Sequence, residues 1–261
     1  LLELLHDKYD ITVNYNHDKY NYISYFKKLY NFIEKRNKSF VETEYDNIIK
    51  LTSCEQLLTE ININKWLGIA HMRNRECELT KVITLSPLVK IRPQTKNICV
   101  LPIYKGYISP DFPEKHIVYI GHFLKSYFDS DLQTFISNVS YHFTFIVWGD
   151  TNYDFTTYPN VTLREKVQTG EMVNILNKSM FVLCRKYPYQ KNDRYSGSVT
   201  LGLSHKVPLI LQTNQERGIP SMNFEKNYSE LIDPLNTMTY GDYYDLKKKN
   251  GFFYRNTNIK G

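Results

Sequence analysis

The chain has 261 residues, 42% hydrophobic and 23% charged, which suits one large domain or two smaller ones and excludes wholesale disorder. No uninterrupted apolar run approaches the roughly 18–20 residues that cross a bilayer, which argues against a membrane-embedded chain. The net charge of +6 comes from 33 Lys and Arg spread along the sequence, so it suits an anionic ligand and disfavours a nucleic-acid partner. Four Cys without CxxC or Cys/His spacing argue against a zinc site and a disulfide framework, so we expect no metal and a reducing, cytoplasmic compartment, compatible with peripheral membrane association. The chain opens Leu1-Leu2-Glu3 without a Met and reads as starting inside a longer protein.

Residues 1–42 read as largely helical, with apolar groups recurring at three and four from Tyr22 to Lys35. Short strands and helices then alternate. Strands are expected at Asn47–Thr52, Lys65–His71, Lys81–Ser86 and Asn97–Ile103, with a short helix at Glu55–Glu60. Pro102 to Pro113 forms a Pro-punctuated connector, placing a domain boundary near residue 110. Beyond it come a strand at Lys115–Gly121, a helix at Asp129–Ser140 and strands at Phe143–Trp148 and Val161–Leu163. A helix at Thr169–Lys178, a strand at Met180–Cys184, a helix at Ser198–Ser204 and a strand at Pro208–Leu211 follow. Asn223–Asn250 reads as mostly helical. Near-continuous Val/Ile/Leu strands alternating with helices imply parallel sheets covered on both faces. The fold class is therefore α/β, with a Rossmann-like domain at 1–110, a second at 111–222, and a helical segment at 223–261 packing back on the first. The excess of Tyr, 22 against two Trp, accompanies abundant Asn, Lys and Ile and fits AT-rich coding.

In open α/β sheets ligands bind beyond the carboxyl ends of the strands, so the residues after each strand carry the functional information. After Lys115–Gly121, Gly121 allows a close approach, and His122 and Lys125 bring cations. After Met180–Cys184, a basic and aromatic stretch ends in Asp193-Arg194-Tyr195-Ser196-Gly197-Ser198 at a helix start. Backbone amides at such a start bind phosphate, and Arg194 adds a charge-assisted fork.

The order of these pieces resembles the nucleotide-sugar-binding half of glycosyltransferases with the GT-B fold. Ile117-Val-Tyr-Ile-Gly-His, Phe145-Ile-Val-Trp-Gly-Asp, Asn160-Val-Thr-Leu and Glu171-Met-Val-Asn-Ile-Leu-Asn carry the first part. Met180-Phe-Val-Leu-Cys and the run from Tyr195 to Ile210, with its Lys-Val-Pro-Leu-Ile end, carry the rest. Trp66 to His71 is similar to the strand that ends in a cleft histidine. Many retaining members carry two glutamates eight positions apart on the last loop and helix; here those positions hold Asp193 and Leu201, and Lys206 replaces the usual Gly before the Pro.

The resemblance implies two Rossmann-like domains facing a cleft, the first short or truncated. It implies sugar transfer from a nucleoside diphosphate sugar to a hydroxyl of a glycan, lipid or protein, without a metal or other cofactor. Lys125, Arg194, Ser196, Gly197 and Ser198, with Gly121 and His122, would hold the diphosphate. Lys166, Val167 and Glu171 would meet base and ribose, Asp193 the ribose or acceptor, and His71 would act as acceptor base. The lost glutamate leaves a second expectation, a non-catalytic nucleotide-sugar-binding module of a larger protein.

Overall fold

The computed structural model describes residues 5–15, 21–36, 44–50, 66–70, 81–84, 96–99, 113–123, 125–148, 154–184, 197–212 and 221–257. The chain divides into two units, one of residues 1–17, 30–102 and 187–195, the other of residues 18–29, 103–186 and 196–261.

In the first unit, β1 (Thr12–Tyr15) pairs in parallel with β2 (Ile33–Arg36). The helix expected from Tyr22 to Lys35 is therefore only α1 (Tyr22–Lys27), which belongs to the second unit. The three-and-four spacing holds for those six residues. Beyond Lys28 the chain turns, buries Tyr30 and Phe32, and gives Ile33–Arg36 to the ladder with β1, so strand pairing overrides the helical pattern. A second sheet has four parallel strands in sequential order: β3 (Ile48–Lys50), β4 (Trp66–Ala70), β5 (Lys81–Thr84) and β6 (Lys96–Cys99). The expected helix at Glu55–Glu60 lies outside the described residues.

The second unit is built on β7 (Glu114–Gly121), β8 (His142–Val147), β9 (Val161–Glu165), β10 (Ser179–Leu183), β11 (Leu209–Gln212) and β12 (Ser221–Phe224). All pairings are parallel, in the order β9-β8-β7-β10-β11-β12. The chain thus winds outward from β7, returns to β10 on its other side, and winds outward again. This doubly wound order puts a topological switch point between β7 and β10. β12 corrects the helical reading of Asn223. It is a short, half-exposed edge strand with no apolar run to mark it, and only the ladder with β11 defines it.

Helices α2 (Ser130–Asn138), α3 (Thr169–Lys178) and α4 (Gly197–Ser204) connect these strands. Asp129 caps α2 by accepting the Leu132 amide at 2.8 Å, and α2 buries Leu132, Phe135 and Ile136. The central strands are buried on both faces: Ile117, Val118, Phe145, Ile146, Phe181 and Val182 are inaccessible to solvent. Gly202 lets α4 lie against the sheet, since a Cβ there would overlap Leu209 Cδ2 and press on Val182 Cγ2 at 3.2 Å. After β12 come α5 (Ile232–Thr237) and α6 (Tyr240–Thr257). Leu231, Leu235 and Tyr243 join the core of the second unit, with Tyr243 meeting Phe181 at 5.9 Å. Within the second unit, the described part of 223–261 thus buries its apolar face on that unit's own core.

Candidate functional site

Because every strand of the six-stranded sheet runs the same way, the segments after β7, β8, β9 and β10 all emerge at one edge. Those after β7 and β10 flank the switch point. Gly121 ends β7 with φ of +153°, a conformation that side chains rarely adopt, and its carbonyl accepts the Trp148 amide at 3.3 Å. Two contacts then fix His122. Its Nδ1 lies 3.0 Å from the Trp148 carbonyl, and its own carbonyl accepts the Tyr119 hydroxyl at 2.6 Å. A carbonyl only accepts, so Nδ1 carries the proton and Nε2 is the nitrogen left to face a ligand. Lys125 begins a single 3-10 turn at 125–127, on the way to α2.

On the other side of the switch point, β10 is followed by buried Cys184, whose thiol is pushed up to about 12 by burial, with a hydrogen bond from Ser198 opposing the shift. Ser198, in the first turn of α4, is buried. Gly197 opens α4. The sequence thus brings Gly121 and His122 to one side of the switch point and Gly197 and Ser198 to the other. Farther along the same edge, Lys166 follows β9 with a left-handed φ of 55°, and Glu171 is exposed in the first turn of α3. Val167 is 4% exposed, so its side chain packs inward and only its backbone is available to a ligand. His71, Asp193, Arg194 and Ser196 lie outside the described residues, although Ala70, just before His71, ends β4.

No protein-family model and no curated protein matches the chain. Among solved structures it is similar to a T4 phage BGT mutant in complex with UDP-glucose, with a TM-score of 0.55 and 11% identity, covering 95% of this chain and 93% of that one. It is also similar to TarM, with a TM-score of 0.50 and 12% identity, covering 75% of this chain and 47% of TarM, so the chain spans about half of TarM's length. Both neighbours are GT-B glycosyltransferases. The chain has the GT-B fold.

The structure explains the departure at Lys206 from the GT-B sequence pattern. Lys206 follows the end of α4 with a left-handed φ of 54°. Its amide donates to the Leu203 carbonyl at 3.1 Å, and the Val207 amide donates to Gly202 at 2.9 Å, the paired bonds of a Schellman cap. The position that usually holds Gly in GT-B chains needs Gly geometry, and Lys206 adopts it under strain. Sequence reasoning missed Tyr119 and Trp148, which orient His122. Both fall inside expected strands, and the His122–Trp148 contact joins residues 26 apart with no local signal.

No helix among the described residues is long and apolar enough to cross a membrane.

Proposed function

We propose that the chain transfers a sugar, a hexose in the first instance, from a nucleoside diphosphate sugar to an acceptor hydroxyl without a metal. The observation that carries this reading is the meeting of the β7 end and the α4 start at the switch point of a doubly wound GT-B sheet. Charge develops on the departing diphosphate as the sugar leaves, and fixed amides and cations are suited to stabilise it. The Gly197 and Ser198 amides at the α4 N-terminus, with Arg194 and Lys125, supply these groups. His122 faces the phosphates through Nε2. Lys166, the Val167 backbone and Glu171 meet base and ribose, and Asp193 contacts the ribose or the acceptor. His71 takes the acceptor proton. The UDP-glucose held by the T4 phage neighbour makes a UDP-sugar the first donor to try. A glycan, lipid or protein hydroxyl in a reducing, cytoplasmic compartment is the acceptor class.

A thermal-shift panel of nucleotide sugars tests the reading. At a ligand concentration of 100 Kd the stabilisation is about 2.7 kcal/mol, which raises Tm by roughly 5–10 °C in a protein of this size. A panel in which no nucleotide sugar raises Tm would overturn it. Leu201, where many retaining members have glutamate, favours the second reading of a non-catalytic module. Donor binding without hydrolysis or transfer to any acceptor would decide for the module.

A further inference from the structure

The hydroxyl of Tyr228 donates to the carbonyl of Cys184 at 3.0 Å, joining residues 44 apart in sequence. Cys184 is the residue with which the chain leaves β10 beside the switch point; the next described residue is Gly197, at the start of α4. Tyr228 is only 3% exposed, and its ring lies 4.5 Å from Phe224 and 5.7 Å from Phe135. Its backbone is anchored as well. Asp131 on α2 accepts the Tyr228 amide at 2.7 Å and the Ser229 amide at 3.2 Å. Glu230 accepts the amides of Glu225, Lys226 and Asn227 at 2.7, 2.9 and 2.7 Å. Every amide from 225 to 229 thus points at a carboxylate, and charge-assisted bonds of this kind hold a backbone rigidly. Tyr228 stands as a braced strut between α2 and the carboxyl end of β10.

We propose that Tyr228, held by Asp131, is a positioning residue for the diphosphate site. By gripping the Cys184 carbonyl it holds the carboxyl end of β10, the strand against which α4 packs at Gly202 beside Val182, and so sets where the α4 amides meet the phosphates. This rests on the donor reading above. A hydroxyl that served packing alone would change stability on removal and leave nucleotide affinity unchanged.

Tyr228→Phe keeps the ring contacts and removes only the bond to Cys184. Wild type and variant are titrated with UDP, GDP, CDP, ADP and dTDP by calorimetry, and deuterium uptake is followed in the peptide spanning 184–198. The expected result is a five-fold or greater loss of affinity for the nucleotide that wild type binds, with faster uptake in 184–198 and β8 unchanged. Affinity within two-fold of wild type overturns the proposal, whatever the uptake. If wild type binds none of the five nucleotides, the donor reading fails, and uptake alone then decides whether Tyr228 braces this segment. Asp131→Asn, which leaves the Tyr228 ring and hydroxyl in place, gives a second measure; it should shift affinity and uptake in the same direction by a smaller factor, and no shift in either counts against the strut.

Discussion

His116 makes stability in the mildly acidic range a sharp test of the second unit's packing. It lies on β7, 8% exposed, with Nε2 2.8 Å from Thr144 Oγ1 and Nδ1 3.1 Å from Ser179 Oγ. The Ser179 hydroxyl donates its proton to the Ile175 carbonyl, so toward His116 its oxygen can only accept. His116 is therefore the Nδ1–H tautomer, and Nε2 accepts from Thr144. Burial, then the nearby His142, lowers its pKa from 6.5 to about 4. The unfolded chain takes up this proton near pH 6.5 and the folded chain only near pH 4. Stability is full above the first value and is lost as pH falls toward the second, at about 1.4 kcal/mol per pH unit. Between pH 7 and pH 5 the loss is about 2 kcal/mol. Urea unfolding of wild type and His116→Gln at both pH values isolates this contribution, because other groups cancel in the difference. Wild type should lose about 2 kcal/mol more than the variant. Equal losses would refute a buried neutral His116.

Four further substitutions test the helix packing and the chemistry. Gly202→Ala should destabilise by about 1–2 kcal/mol despite better helix propensity, because fully buried Leu209 cannot move away. Gly170→Ala, where a Cβ meets nothing within 4 Å, should raise Tm slightly instead, and the same sign at both positions would contradict the packing. Lys206→Gly should gain about 0.5–1 kcal/mol in urea unfolding by relieving the left-handed Schellman position. His71→Ala should abolish sugar transfer while changing donor affinity less than two-fold; full activity would remove His71 from the chemistry.

The central strands were legible because burial on both faces leaves an unbroken apolar run, as in Ile117–Ile120 and Met180–Leu183. The short, half-exposed strands β1, β2 and β12 lack that run and exist through their partners, so the sequence read them as helix or left them unassigned. The strand and helix ends that the sequence marks carry Gly121, His122, Gly197 and Ser198 to the switch point of the sheet. The groups that hold those ends were not legible, since Asp131 and Tyr228 meet across 97 residues and the sequence reads both simply as parts of helical segments. Composition also hid a structural role. Tyr119, Tyr141, Tyr228 and Tyr243 are all under 10% exposed, so part of the Tyr excess fills the core rather than reflecting coding bias alone.

The most direct test of the account is calorimetric titration of wild type and Arg194→Ala with UDP-glucose and the free nucleoside diphosphates. At least one of them should bind wild type, and the variant should bind it at least ten-fold more weakly, with its Tm unchanged in the absence of nucleotide. Unchanged affinity in Arg194→Ala, or no nucleotide binding to wild type, would contradict a diphosphate site at the junction of β7, β10 and α4.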